Sequence, residues 1–134
     1  SDVYKRQILR FYCHCTICQQ QYASPYVDVS LFKLDDVHLP EDQNITYGRF
    51  KRFGAVDRGR CPSCDKPVLS KMGKGDNAFA FLAARNCVNA DDLPPADMHI
   101  FYGTRTADVD DALPKYNNFF SSRYAFIKRM IKKT

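Results

Sequence analysis

The sequence predicts a mainly β protein that closes with one short C-terminal helix. Three observations predict it. Apolar and β-branched runs of strand length recur along the chain, separated by clusters of Asp, Pro, Gly and Asn. Five of the six cysteines fall into one C-x-C-x-x-C and one C-x-x-C element, a ligand spacing rather than a disulfide framework. Only the last stretch, "SSRYAFIKRMIKKT", changes to a helical period.

The elements follow in chain order. "SDVYKRQ", residues 1–7, is what a transposase sequencing-adapter end encodes when read in frame. It is set aside from the fold as an artefact, with the natural reading expected to begin near Ile8 and the true N-terminus lost. "ILRFYCHC" reads as a strand running into a cysteine loop, and "SPYVDVSLFKL" as a second strand whose apolar residues alternate with Asp28, Ser30 and Lys33. "DDVHLPEDQN" is a turn cluster that leaves His38 exposed. "ITYGRFKRF" is a third strand, and "AVDRGRCPSCDKPVLSKM" reads as strand, knuckle turn, strand. "NAFAFLAARNCV" suits a buried strand or a short helix, and its Cys87 reads as a small buried hydrophobe. "DDLPPAD" is a loop, followed by a short strand in "MHIFYGT". In the tail, Tyr124, Ile127, Met130 and Ile131 share a helical face expected to dock on the core, with Ser121 or Ser122 as N-cap. Its cations sit at the C-terminal end, where the helix dipole favours them.

Length and charge bound the function. At 134 residues the chain is one domain able to bury a core of its own. No apolar run approaches membrane-span length, and no signal segment is read at the start, which points to the cytoplasm, where thiols stay reduced. The net charge of +5 gathers in "GRFKRFGAVDRGR" and "KRMIKK", and reads first as two solvated faces. It is weak for nucleic acid, and no membrane partner is expected. Attraction of a small anionic ligand is the functional alternative.

Zinc is the natural metal for clustered thiolates. One assignment pairs Cys15 and Cys18 with Cys61 and Cys64 as a stretched, closed zinc ribbon, which leaves Cys13 over. The other keeps Cys13, Cys15 and Cys18 together with an open fourth position, the catalytic arrangement, and makes Cys61 and Cys64 half of a separate structural site. A redox dithiol ranks last, because neither C-x-x-C is read in a strand-to-helix βαβ context. His14 turns away from the metal if its segment is extended. His99 reads as a satisfied core or surface histidine, with proton transfer as its functional alternative.

"CHCTIC", "SPYVDVSLFKLDDVHL", "YGRFKRFGAVDRGRCPSCDKPVL" and "LPPADMHIFYGTRTADVDDALPKY" together resemble the glutathione-dependent formaldehyde-activating (GFA) family, which includes CENP-V. The likeness spans about residues 11–120, with corroboration from His99–Ile100 and from Asp111, Leu113 and Pro114. It implies a β-tent fold with a GFA-type zinc-binding domain over 8–120 and a basic amphipathic helix over 121–134. It implies a catalytic zinc on Cys13, Cys15 and Cys18, and a structural zinc on Cys61 and Cys64 with a G-x-C-x-C element from an earlier hairpin. That element is absent here, so two zincs are expected only of an intact parent. Asp65 in place of Gly, "QQ" in place of a basic pair, and the lack of Trp before D-x-L-P are further departures.

The resemblance also implies the chemistry: glutathione, or another thiol, adds to formaldehyde or a related aldehyde to give S-hydroxymethylglutathione, a carbon–sulfur lyase reaction in reverse. Three thiolates on zinc make a poor Lewis acid for water but a good host for a fourth, soft thiolate. Arg52, Arg58 or Arg60 would attract the anionic thiol. The alternative is a non-catalytic zinc-binding module, CENP-V-like or ribbon-like.

Overall fold

The computed structural model describes residues 7–37, 45–48, 56–63, 66–73, 78–86 and 90–133. The expectations for residues 1–6, His38, Arg49, Lys51, Arg52, Cys64, Asp65 and Cys87 lie outside them. The described chain is mainly β with a C-terminal helix, as the sequence predicts, and that helix runs to 15 residues.

Strand β1 (Leu9–Cys13) leads into a short helix α1 (Thr16–Tyr22), and the chain returns as β2 (Val27–Lys33). β3 (Thr46–Gly48), β4 (Val56–Arg60), β5 (Pro67–Met72), β6 (Phe79–Ala83) and β7 (Met98–Ile100) complete one seven-stranded sheet, ordered β3-β4-β5-β6-β2-β1-β7. All neighbours pair antiparallel except β7, which lies parallel to β1 with Cys13 opposite Ile100 and Tyr12 opposite His99. Helix α2 (Phe119–Lys133) ends the chain.

Alternation along β1 and β2 sorts the side chains onto two faces. One face gathers Leu9, Phe11 and Cys13 with Val27, Val29, Leu31, Ala83, Met98 and Ile100 into the main core. Phe126 of α2 closes it, its ring 5.8 Å from Phe11 and 5.9 Å from Phe81. The other face carries Arg10 and Asp28, paired through two hydrogen bonds of 2.9 and 2.7 Å. There Phe32, Ala84 and Leu93 form a smaller apolar cluster.

α1 was not foreseen: the sequence reading carried the first strand into a loop. Cys15, extended at φ −68° and ψ 153°, caps this helix by accepting a hydrogen bond from the Cys18 N–H. "CTIC" therefore does sit at a strand-to-helix junction, although β1 and β2 are antiparallel and make no βαβ unit.

The tail helix also departs from expectation. It starts two residues before 121, and Asn118 caps it rather than Ser121 or Ser122. Asn118 Oδ1 accepts from the Ser121 N–H at 2.9 Å while Ser121 Oγ accepts from the Asn118 N–H at 3.3 Å, a reciprocal capping pair. Ser122, Ala125, Phe126 and Met130 face the protein, whereas Tyr124, Ile127 and Ile131 are exposed. Of the four residues expected to dock, only Met130 does. Small Ser122 and Ala125 allow the close approach that Tyr124 would prevent.

Candidate metal centre

Cys13, at the end of β1, points into the main core, and Cys18 reaches the same space from the buried side of α1. Cys15, the helix cap between them, is half-buried. The three Sγ atoms lie within 4.8 Å of one another, and those of Cys13 and Cys18 are 3.4 Å apart. Tetrahedral zinc with Zn–S bonds of about 2.3 Å needs sulfurs about 3.8 Å apart, so this donor set fits such an ion. Cys61 is not part of the group, which leaves the closed ribbon on Cys15, Cys18, Cys61 and Cys64 without support among the described residues.

The cluster distributes its protons unevenly. Hydrogen bonds from the Cys13 and Cys18 thiols, helped by the Cys18 N–H and Arg58, hold Cys15 down to about 2. Cys13 is pushed well up by its hydrogen bonds to Cys15 and Cys18 and by burial. The bond from Cys13 lowers Cys18, but the bond to Cys15, burial and the Cys15 charge outweigh it and raise Cys18 to about 11. The metal-free cluster is thus one thiolate and two thiols.

Positive charge stands close by. Arg58 Nη1 lies 4.0 Å from Cys18 Sγ. Three strands separate β4 from β1, so a flat sheet would put about 19 Å between them. The sheet must curl over α1, and the register shift at Gly59/Arg60 in β4 supplies a bend. The Tyr22 hydroxyl, its pKa raised by burial and then by Cys18, also feels Arg58, Arg85 and Arg60. Beside it opens a cavity of about 380 Å³ lined by Tyr22, Pro25, Tyr26, Asp28, Ala83 and Arg85. On the buried side of α1, one turn beyond Cys18, the Gln21 Nε2 is buried and finds no hydrogen-bond partner among the described residues.

His14 turns away from the thiols, as expected of an extended segment, and its N–H still bonds Ile100 O at 3.1 Å. On the opposite face its Nε2 meets His99 Nδ1 at 2.9 Å, and His99 Nε2 meets Asp111 Oδ2 at 2.7 Å. Lys115 Nζ holds the other carboxylate oxygen at 2.8 Å. His99 is a satisfied core histidine, 0 % exposed, packed by the rings of Tyr12 and Tyr102. Asp111 is held down to about 2 by Lys115 and His99, while burial and the neighbouring His99 and Arg105 lower His14 to about 4.

Two anchors escaped the sequence reading. Gln19 Nε2 donates to His14 O at 2.7 Å and to Thr104 O at 2.9 Å, and Thr104 Oγ1 donates to His14 O at 2.8 Å. The "QQ" that registered only as a missing basic pair contains the clamp on the thiol loop. Nothing in an isolated Gln or Thr signals this, because the partners are far apart in sequence.

A family model described as "Glutathione-dependent formaldehyde-activating enzyme" matches residues 2–104, which include Cys13, Cys15, Cys18, Cys61, Cys64 and His99 and stop short of Asp111. No curated protein matches the chain.

Proposed function

The chain belongs to the glutathione-dependent formaldehyde-activating enzyme family, and from that premise we propose that it is a zinc-dependent carbon–sulfur lyase joining glutathione, or another thiol, to formaldehyde or a related aldehyde. One observation supports the reading: Cys13, Cys15 and Cys18 converge as three soft donors with no fourth ligand beside them among the described residues, so a tetrahedral ion held there would keep a position for substrate. Zinc held there would keep an incoming thiol deprotonated near neutral pH. In the reaction the thiolate lone pair forms the C–S bond to the carbonyl carbon, the C=O π pair moves to oxygen, and that oxygen takes up a proton. The reverse sequence cleaves the adduct.

The chain's own residues supply binding and order. Arg58 sets a cation beside Cys18, and Arg60 and Arg85 act on the same Tyr22 hydroxyl. An anionic peptide thiol finds favourable charge there. Arg85 in the neighbouring cavity suits a carboxylate end of such a peptide. The buried Gln21 donor, unpartnered among the described residues, suits a ligand group. His14, fixed through side chain, N–H and C=O, holds the peptide between Cys13 and Cys15 so that both sulfurs stay on the metal side. Three reduced thiols in one cluster suit the cytoplasm.

The test combines zinc content with adduct exchange, measured by NMR on glutathione and isotopically labelled formaldehyde against the uncatalysed rate. Cys15→Ser is expected to lose the trio's zinc and the rate enhancement, and Cys61→Ser to keep the zinc on the trio. Undiminished exchange in Cys15→Ser would refute the lyase reading.

A further inference from the structure

Helix α2 presents an apolar stripe to solvent that no part of the described fold covers. Phe120 is 81 % exposed, Tyr124 68 %, Ile127 40 % and Ile131 71 %. At 100° per residue these four fall within a strip about 60° wide, directly opposite the side that carries Ser122, Ala125 and Phe126. The stripe is therefore the outermost line of the helix. Single exposed apolar residues are ordinary, but a continuous line of four aromatic and branched side chains marks a contact surface.

The charges around it select the occupant. Arg123 lies on one edge of the stripe and Lys128 and Lys132 on the other, and α2 contains no Asp or Glu. The Lys128 ammonium sits 5.9 Å from the Tyr124 ring, alongside the stripe, while the Arg123 guanidinium sits 5.8 Å from the ring of Phe119 on the flank. A second copy of α2 packed along the same seam would set these cations against their own equivalents, which is repulsive. An apolar strip between two rows of cations on a convex ridge matches a fluid anionic surface: rings and branched chains enter the acyl boundary while the long basic side chains reach headgroup phosphates.

We propose that α2 is a docking surface for an anionic lipid bilayer, seated through Phe120, Tyr124, Ile127 and Ile131 and held by Arg123, Lys128 and Lys132. The expected lack of a membrane partner rested on turning Tyr124, Ile127 and Ile131 into the core, and the structure turns them outward. Docking leaves the thiol cluster untouched, since Cys13 and Cys18 belong to the core that the opposite side of the helix covers.

The test is co-sedimentation of the full chain with vesicles of phosphatidylcholine alone and of phosphatidylcholine mixed with phosphatidylserine. Binding is expected only to the mixed vesicles, weakening as salt is raised. Lys128→Glu and Arg123→Glu should each weaken it by at least about fivefold, and Phe120→Ser with Tyr124→Ser should abolish it, with zinc content and circular dichroism unchanged. No binding to the mixed vesicles, or equal binding to both compositions, overturns the proposal. So does a soluble dimer that Phe120→Ser dissociates, because the stripe is then covered by a second copy.

Discussion

His14 Nε2 and His99 Nδ1 lie 2.9 Å apart although 85 residues separate them. Asp111 stays ionised down to about pH 2, so its carboxylate accepts from the His99 Nε2–H. His99 Nδ1 is left to meet His14 Nε2, one of the two ring nitrogens donating to the other. Hydrogen bonds link the thiol loop through His14 and His99 to Asp111, whose other carboxylate oxygen accepts from Lys115 Nζ.

Removing the middle link strands the inner one. His99→Leu takes from His14 Nε2 its hydrogen-bond partner in a site that is 1 % exposed. The expected cost is about 1–3 kcal/mol in urea denaturation. The double variant His14→Leu with His99→Leu should cost less than the two singles combined, since no orphaned group then remains. Strict additivity would show that the two rings do not share a proton.

Acid should act through the outer end of the chain. Asp111 in the folded protein titrates at about 2, below the ordinary aspartate value of about 3.9. The unfolded state therefore takes up its proton first as pH falls. Its contribution is complete above about pH 4 and fades as pH drops through about 2. Carboxyl NMR should find Asp111 titrating near 2, and Asp111→Asn should flatten this part of the acid limb. An ordinary Asp111 titration would mean that Lys115 and His99 do not hold it.

Metal removal should expose one reactive thiol among the three. In the metal-free chain Cys15 is a thiolate, while Cys13 and Cys18 remain protonated. Iodoacetamide at about pH 5 should therefore modify Cys15 ahead of the other two, and added zinc should suppress the reaction. Mass mapping reads the site. Equal labelling of Cys15 and Cys18 would contradict the proton distribution.

The bend that brings Arg58 to Cys18 depends on a bare backbone. A Cβ on Gly59 would lie 2.6 Å from Ile45 Cγ2, 2.7 Å from Leu69 O and 2.9 Å from Tyr47 Cε1. Gly59→Ala should cost about 1–3 kcal/mol in denaturation. It should also weaken thiol binding by displacing the neighbouring Arg58. A neutral substitution would show that β4 has room to move.

The parts legible in the sequence were those with local signals. β1 and β2 are rich in β-branched and aromatic residues, and the cysteine spacing leaves two ligand sets open, of which the structure brings together Cys13, Cys15 and Cys18. α1 gave no such signal: "TICQQQY" opens on two β-branched residues, lacks an acidic first turn and is capped by a cysteine. α2 was legible as a helix but not in its rotation, because Tyr124 and Ile127 make a bulkier apolar face than Ser122 and Ala125. Packing chose the smaller residues, which let the backbone approach β1. The His14–His99 contact arises only from the parallel pairing of β1 with β7, a long-range choice that neither segment encodes alone.

Gln21 offers the most direct test of a ligand near the thiols. Its Nε2 is buried without a partner among the described residues, and such a donor costs free energy in the empty protein. Gln21→Met keeps the volume and removes the donor, so the free protein should gain about 1 kcal/mol in denaturation. Where the donor serves a bound thiol, the same substitution should raise KM for glutathione by about tenfold and leave zinc content unchanged. Gains in stability with an unaltered KM would confine Gln21 to the core and move the thiol's polar contacts to the Arg85 cavity.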